Sequence, residues 1–189
     1  MRLALFAAAA ALVTTAAQAA TIAAVGTSAT GGSFTATGGT IIAVNDSAYW
    51  QTGTAPASEW IWVDDASAVN AARFELTFDL TGYDLSTVSF ASTIGIDNYV
   101  DVFLNGTLLG RINNAYATPF TYTYADAAFL QDGTNVLRFD AVDTGGPAAF
   151  RAAITITGDA LPPPAPVPLP AGAALLGLGL GALALRRKV

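Results

Sequence analysis

The sequence contains no cysteine and no histidine among its 189 residues. The lack of cysteine excludes disulfides and thiolate nucleophiles, and the lack of histidine excludes Ser-His and Cys-His catalytic pairs and histidine-based zinc sites. The chemistry that remains is that of carboxylates, of oxygen-ligand metals such as calcium, and of plain binding. A domain of this composition must rely on its hydrophobic core for stability.

Positive charge is also scarce between the two ends of the chain. All 14 acidic residues lie between Asp46 and Asp159, and that interval contains four arginines and no lysine, which gives it a net charge of −10. Such a surface repels phosphate backbones, so we expect no nucleic-acid partner. Acidity combined with many Ala, Gly and Thr residues is typical of a solvated, exported domain.

Residues 1–19 have the pattern of a secretory signal peptide. Arg2 supplies a basic start, Leu3 to Val13 form an apolar stretch, and Ala17-Gln18-Ala19 fits the small-x-small cleavage motif. We therefore expect cleavage close to Ala20. The alternative interpretation of this segment is a buried N-terminal helix.

Residues 20–160 are predicted to form one β-sandwich domain. Apolar and polar residues alternate with a period of two over residues 72–80 and in several later segments, which predicts half-buried strands. Asn105-Gly106 supplies the positive-φ pair of a type I′ hairpin turn. Eight or nine short strands and no helix of useful length indicate an all-β fold, an antiparallel β-sandwich. Residues 21–56 are expected to be loop-rich, with one strand from Thr40 to Val44.

The order of segments in this domain resembles a galactose-binding-like jelly roll. The similar segments are "ASEWIWV", the strand "FELTFDL", the Asp97-Asn98 pair ahead of a strand that ends at Asn105-Gly106, and "GTNVLRFDAV" followed by a Gly-Gly turn. The resemblance spans residues 33–158. It implies a non-catalytic domain that binds sugars or has an adhesive role, in some members with a structural calcium.

Aromatic side chains are candidates for sugar contact, because their faces stack on the C–H faces of sugar rings. The whole set is Tyr49, Trp50, Trp60, Trp62, Tyr99, Tyr116, Tyr122 and Tyr124. From it we select Trp50, Trp62, Tyr99 and Tyr116 as candidate ligand contacts. Tyr99 is out of phase with Val100 and is expected to face away from the core. The alternative is that these aromatics fill the core, as we expect for Trp60.

Carboxylates offer two further interpretations. Calcium needs six to eight oxygen ligands, and the candidate ligands are Asp64, Asp65, Asp97, Asp101 and Asp143. The sequence lacks an Asp-x-Asp-x-Asp-Gly loop, and scattered aspartates are common in solvated turns, so no cofactor is expected. A small glycan-active hydrolase that uses a carboxylate pair is the alternative function. Glu59 and Glu75 are the only glutamates, and no nucleophile motif accompanies them, so we expect no enzyme.

The C-terminal segment ends in an apolar run followed by basic residues. Residues 161–166 are proline-rich and are expected to form a stiff polyproline II spacer. Residues 171–185 are only Ala, Gly and Leu, and a helix of that length extends about 22 Å, short of the ~30 Å hydrocarbon core. By the positive-inside rule, Arg186, Arg187 and Lys188 stay cytoplasmic, which places the β-domain outside.

Residues 167–189 resemble the PEP-CTERM class of C-terminal sorting domains in its VPLPA form. The matching residues are Val167, Pro168, Leu169, Pro170 and Ala171, followed by the apolar helix 171–185 and then by Arg186 and Arg187. The resemblance implies that an exosortase, a membrane transpeptidase-like protease, recognises and cleaves this segment in a Gram-negative bacterium that makes extracellular polysaccharide. The protein would be held in the membrane transiently and then reach the cell envelope or extracellular matrix. The alternative is an ordinary, uncleaved membrane anchor.

Intact mass of the exported protein tests both ends of the chain. We expect it to begin at Ala20 or Thr21 and to end near Val167–Ala171. Replacing Pro168 and Pro170 with Ala should leave the protein membrane-held and uncut, because proline keeps this backbone out of the helix.

Replacing the three basic residues at 186–188 with Ser is the control, and it should let unprocessed protein escape. A wild-type envelope protein that still ends at Val189 would show an ordinary anchor. One that still begins with Met1 would contradict the signal peptide.

Overall fold

The computed structural model describes residues 19–44, 53–64 and 70–164, which fold into eleven β-strands. Residues 1–18, Trp50, Asp65 and the predicted sorting segment 167–189 with its helix 171–185 lie outside the described residues. Within the described ranges, no helix is long and apolar enough to cross a membrane. The strands are β1 (Ala20–Gly26), β2 (Phe34–Thr37), β3 (Ile41–Ala43), β4 (Ile61–Val63), β5 (Ala71–Asp79), β6 (Ser89–Asp97), β7 (Tyr99–Leu104), β8 (Thr107–Asn113), β9 (Phe120–Tyr124), β10 (Thr134–Val142) and β11 (Ala149–Gly158).

The strands form two antiparallel sheets that pack face to face. Sheet A has the order β3-β4-β11-β6-β9, with β1 paired to β11 beside β4, and sheet B has the order β2-β5-β10-β7-β8. From β4 onward, every connection except the β7–β8 hairpin crosses from one sheet to the other, which is the connectivity of a jelly roll. The predicted antiparallel β-sandwich is confirmed, with eleven strands instead of eight or nine.

The additional strands come from the segment that was expected to be loop-rich. β1 pairs with the last part of β11, β2 pairs with β5, and β3 pairs with β4. β3 confirms the strand predicted between Thr40 and Val44. β1 and β2 contain few large apolar residues, so their formation depends on main-chain hydrogen bonds to a strand already in place. Hydrophobic periodicity does not detect that kind of pairing.

The core lies between the sheets and is centred on phenylalanines from both of them. In β5 the residues at 72, 74, 76 and 78 are buried and the residues between them are not, as the alternation predicts. Phe74 of sheet B stacks on Phe150 of sheet A, with ring centroids 4.9 Å apart and an interplanar angle of 13°. Phe139 lies 5.1 Å from Phe150. These contacts fix the two sheets relative to each other.

The outer face of sheet A is covered by residues 53–60. Arg151 projects from β11 on this face and is only 4% exposed. Its Nε donates to Ser58 Oγ at 2.7 Å, and Nη2 donates to the Ser58 carbonyl at 2.9 Å. Burial lowers the pKa of Arg151 from its ordinary value. Most of β11 is therefore buried on both faces, although its alternating pattern indicates a strand with one solvated face.

The β7–β8 connection is the type I′ turn that the sequence predicts. Asn105 has φ of 48° and Gly106 has φ of 84°. The Asn105 side chain also binds the start of β10, because Oδ1 accepts from the Val136 N–H at 2.9 Å and Nδ2 donates to Asn135 Oδ1 at 2.7 Å. The turn therefore anchors the hairpin to β10 as well as closing it.

Substitution of Gly106 by Val should destabilise the domain, because a β-branched residue resists positive φ. We expect a loss of about 1–2 kcal/mol in the free energy of unfolding, which lowers Tm by roughly 3–8 °C in a domain of this size. Gly110→Val is the matched control, because Gly110 lies in β8 without positive φ and a Cβ there meets no atom within 4 Å. Equal melting temperatures for the two variants would contradict this account of the turn.

Candidate ligand-binding site at the loop end

Three connections meet at one end of the sandwich, which we call the loop end. They are residue 98 between β6 and β7, residues 114–119 between β8 and β9, and residues 143–148 between β10 and β11. Strand register brings them together, because Asp97 pairs with Ala149 and Tyr99 pairs with both Val142 and Asn113.

Asn98 ties these three connections to one another. Its backbone N–H donates to the Val142 carbonyl at 3.0 Å, and its carbonyl accepts from the Asn114 N–H at 2.5 Å. Its side-chain Oδ1 accepts from the Thr144 N–H at 2.6 Å and from the Thr144 hydroxyl at 2.8 Å. Its Nδ2 donates to Asp97 Oδ1 at 2.7 Å. One side chain thus fixes the positions of a carboxylate and a hydroxyl at the loop end.

The buried side chain of Asp143 stabilises the β10–β11 loop. This residue is 3% exposed, and its Oδ1 accepts from the Gly145 N–H at 3.1 Å. Its backbone N–H donates to the Asn70 carbonyl at 3.0 Å, which connects the loop to the residue preceding β5. Gly145 and Gly146 both have positive φ, at 134° and 107°. Glycine adopts positive φ without steric cost, so the sequence of the turn after Thr144 suits its backbone conformation.

Aromatic side chains form the wall of this end on the outer face of sheet A. Trp60 is 8% exposed and packs with buried Ala149, and Tyr116 packs against the pair while remaining partly exposed. Gly95 makes this possible, since a Cβ there would lie 2.4 Å from the Trp60 ring. Ala149 is the register partner of Asp97, so the Asp97 carboxylate lies on the same face of sheet A as Ala149. We call Asp97, Asn98, Tyr116 and Thr144 the loop-end cluster.

Tyr99 lies at the same end but on the outer face of sheet B. It faces away from the core, as its phase relative to Val100 predicts. The Arg111 guanidinium covers one face of its ring, with Cζ 4.2 Å from the ring centroid. Arg111 is held by two hydrogen bonds of 2.7 Å to Asp101, which lower the pKa of that carboxyl and raise the pKa of Arg111. Tyr99 and Tyr116 therefore face outward from different sheets.

Trp62 is a core residue. It is 6% exposed and packs against Phe74, with ring centroids 6.1 Å apart. Its indole Nε1 is buried and has no hydrogen-bond partner among the described residues. Trp62 was predicted as a candidate ligand contact. This prediction is corrected, because all three residues of β4 are buried. A strand this short shows no alternation from which its burial could be read. Trp50, the remaining selected aromatic, lies outside the described residues.

The candidate carboxylates are dispersed over the domain. Asp101 binds Arg111 and Asp64 Oδ1 accepts from the Thr40 N–H at 2.8 Å. Within the described ranges, no three acidic residues lie close enough to hold a metal ion. Glu59 accepts from Ser28 and the Ala29 N–H near sheet A, whereas Glu75 lies on β5 of sheet B in register with Arg138. The fold does not bring the two glutamates together as a pair.

Of the residues in the loop-end cluster, Tyr116 is a predicted ligand contact from the sequence, whereas Asn98 and Thr144 are not. Asn98 and the Gly-Gly turn entered the sequence prediction as features of the fold, and Asp97 entered it also as a candidate calcium ligand. The signal in the sequence is that Asn98 directly precedes a strand and that Thr144 directly precedes a Gly-Gly turn. Nothing in the sequence indicates that these two residues are in contact.

Comparisons with known proteins concern the architecture. The chain matches no protein-family model and no curated protein. A solved family 35 carbohydrate binding module from an environmental isolate is 17% identical with a TM-score of 0.44, and the match covers 72% of this chain and 98% of that one. A CBM36 carbohydrate-binding module in complex with calcium and xylotriose is 15% identical with a TM-score of 0.32, covering 64% and 99%.

A third solved structure is an enzyme. The Stig cyclase from Fischerella sp. TAU is 12% identical with a TM-score of 0.37, covering 65% of this chain and 75% of that one. At these values the similarities carry no argument about ligand or activity, and the assignment of a jelly roll rests on the strand order itself.

The role of Asn98 is tested by Asn98→Asp, which places a second carboxylate against Asp97. We expect a loss of about 1–3 kcal/mol in stability at pH 7, from the lost hydrogen bond and the like charge. Two facing carboxylates raise the folded-state pKa of the pair above its unfolded values, so the penalty is present at pH 7 and shrinks as pH falls through that raised pKa.

The measurement is the difference in Tm between variant and wild type at pH 7 and at pH 4.5. Asn113→Asp, at the exposed end of β8, is the control and should cost little at either pH. A deficit of equal size at both pH values would show that like-charge repulsion is not its cause.

Proposed function

We propose that this protein is an exported, non-catalytic carbohydrate-binding domain that is delivered to the cell envelope or extracellular matrix. The observation that carries the proposal is the loop-end cluster. At one end of the domain it combines a partly exposed tyrosine that packs against Trp60 with an amide, a carboxylate and a hydroxyl held by mutual hydrogen bonds.

This arrangement suits a sugar ring. The aromatic face of Tyr116 offers a surface for the C–H face of a pyranose, while amide, carboxylate and hydroxyl groups are the donors and acceptors that fix hydroxyl orientation. Because Asn98 is already held by five hydrogen bonds, the site loses little conformational freedom when a ligand binds. The net charge of −10 in the interval 46–159 disfavours polyanions, so the ligand class is a neutral polysaccharide.

The direction in which the chain leaves the domain supports presentation on an envelope. β11 runs away from the loop end, and Ala20 at the start of β1 pairs with Gly158 at its far end. Beyond β11, Ala160 bridges to Tyr83, and the Leu161 N–H donates to the Gly82 carbonyl at 2.8 Å. Both ends of the domain therefore lie opposite the loop-end cluster, and a tether through the proline-rich spacer 161–166 holds the cluster away from the membrane.

Export and sorting complete the proposal. β1 starts at Ala20, so cleavage after Ala19 leaves the whole strand in the mature chain. A VPLPA-type segment at 167–189 is the substrate for an exosortase-type membrane protease, and the partner of the released domain is extracellular polysaccharide. These assignments rest on the sequence resemblance, and the intact-mass measurement described above tests them.

Binding should be measured by titration calorimetry of the exported protein against neutral polysaccharides such as xylan and mannan, with polygalacturonate as the anionic comparison. We expect binding to a neutral polymer and none to polygalacturonate. Tyr116→Ala should weaken the association about two- to tenfold, since a stacked aromatic contributes about 0.5–1.5 kcal/mol.

Tyr83→Ala, at the opposite end of the domain, is the matched control and should leave the affinity unchanged. The proposed site is wrong if Tyr116→Ala and Asn98→Asp both keep wild-type affinity. The proposed function is wrong if no neutral polysaccharide binds the folded protein.

A further inference from the structure

Strand β9 is an edge strand without the usual protection. It ends sheet A, and its register with β6 is regular from Phe90↔Tyr124 to Ile94↔Phe120. Its five residues, Phe-Thr-Tyr-Thr-Tyr, include no charge, no proline and no glycine. An open edge presents unpaired main-chain N–H and C=O groups, and an uncharged edge rich in aromatic and β-branched residues pairs readily with another strand.

The other unpaired edges in the described part of the chain carry such obstacles. β1, which pairs with β11 alone, has a register irregularity between Thr21 and Ala23. β8 carries Arg111 and has a register irregularity opposite Val102 and Phe103, and both features obstruct pairing. On the opposite side of the sandwich, β2 has four residues and β3 has three, which is a short length for an edge. β9 differs from these strands in having neither charge, irregularity nor extreme shortness.

The sequence of β9 is also symmetric by residue class about Tyr122. In an antiparallel pair centred on this residue, Phe120 lies opposite Tyr124 of a second copy, Thr121 lies opposite Thr123, and Tyr122 lies opposite itself. Aromatic pairs then occupy one face and threonine pairs the other, and both are favourable cross-strand combinations. A two-fold contact requires this kind of self-complementary strand.

The aromatic side chains of β9 share a face of sheet A with Phe90 and Ile94, and Phe120 is exposed while Tyr122 and Tyr124 are half-buried. Phe120 is 44% exposed. The rings of Phe120, Tyr122 and Tyr124 follow one another at 6.2 and 6.4 Å, with interplanar angles of 26° and 21°. Beside them is an apolar cavity of about 80 Å³ between β8 and β9, left open by the missing side chain of Gly110. A continued sheet extends the aromatic row past this opening and covers it.

The charge of the domain favours β9 over the rest of the surface as the site of self-association. Two copies of a domain with net charge −10 between residues 46 and 159 repel each other, so they can approach closely only through an uncharged surface. Asp126, the nearest acidic residue after β9, falls opposite Thr118 in the symmetric register and not opposite another carboxylate. The unpaired edge therefore meets no like charge along its length.

We propose that β9 pairs antiparallel with β9 of a second copy about a two-fold axis through Tyr122. The pairing joins two six-stranded sheets into one sheet of twelve strands. It does not depend on sugar binding, because the loop-end cluster lies outside the paired strands.

The test is a charge exchange on the threonine face, with self-association measured by sedimentation equilibrium of the exported protein from 1 to 100 μM. In the double variant Thr121→Lys/Thr123→Lys, each new lysine lies opposite a lysine of the second copy, and the dissociation constant should rise at least tenfold. In Thr121→Lys/Thr123→Glu, each lysine lies opposite a glutamate, and the constant should stay within about threefold of wild type. A structural defect of the monomer would weaken both variants alike.

Cysteine cross-linking tests the register. Each variant then carries a single cysteine, because the chain has no cysteine of its own. Tyr122→Cys should form a disulfide between copies on mild oxidation, because a residue opposite itself in an antiparallel pair has its Cα atoms about 4.5–5.5 Å apart. Thr121→Cys is the control and should cross-link poorly, since its symmetry mate lies diagonally across the pair. A monomeric wild type at 100 μM, equal effects of the two charge variants, or cross-linking at 121 in place of 122 would each overturn the proposal.

Discussion

The outer face of sheet A has to be covered, and much of the molecule follows from that requirement. β11 carries small residues and Arg151 on this face, where a typical solvated strand would carry several polar side chains. Residues 53–60 supply the cover through the hydrogen bonds of Ser58 to the Arg151 guanidinium. A buried guanidinium is costly unless its donors are satisfied, so these bonds hold the covering segment in one place. That segment ends in Trp60, which in turn supports Tyr116 and shapes the candidate site.

The outer face of sheet B is covered by ion pairs instead of by a chain segment. Arg73 binds Asp140 at 2.8 Å, Arg138 approaches Asp140 at 3.3 Å, and the third arginine of this face binds Asp101. Two of these guanidinium groups also lie over aromatic rings, those of Tyr99 and Phe103. Exposed ion pairs of this kind contribute little stability individually, but they neutralise the face and cover its aromatic rings. The proposed sugar site is therefore placed at the loop end and not on this flat surface.

The sequence predicts the parts of this fold that alternation and turn chemistry determine. The period-two pattern of β5 and the Asn105-Gly106 turn are local signals, and both are confirmed. The burial of Trp62 could not be predicted, because a three-residue strand shows no alternation and the contact with Phe74 forms only when β4 and β5 pack together. The contact between Asn98 and Thr144 is equally non-local, since 46 residues separate them. Tyr116 could be proposed from the sequence because aromatic residues near turns are few, whereas amides and hydroxyls near turns are common.

The course of β11 determines how the domain bears load. In the proposed function, a force between a polymer bound at the loop end and a tether beyond residue 160 acts along β11, parallel to the strand. Nine residues of β11 pair with β6 on one side, and most of its length pairs with β1 on the other. Such a force shears β11 against β6 and β1, so many main-chain hydrogen bonds must break at the same time and not one after another. A domain with its tether at this position resists extension better than one in which the same pull unzips an edge strand.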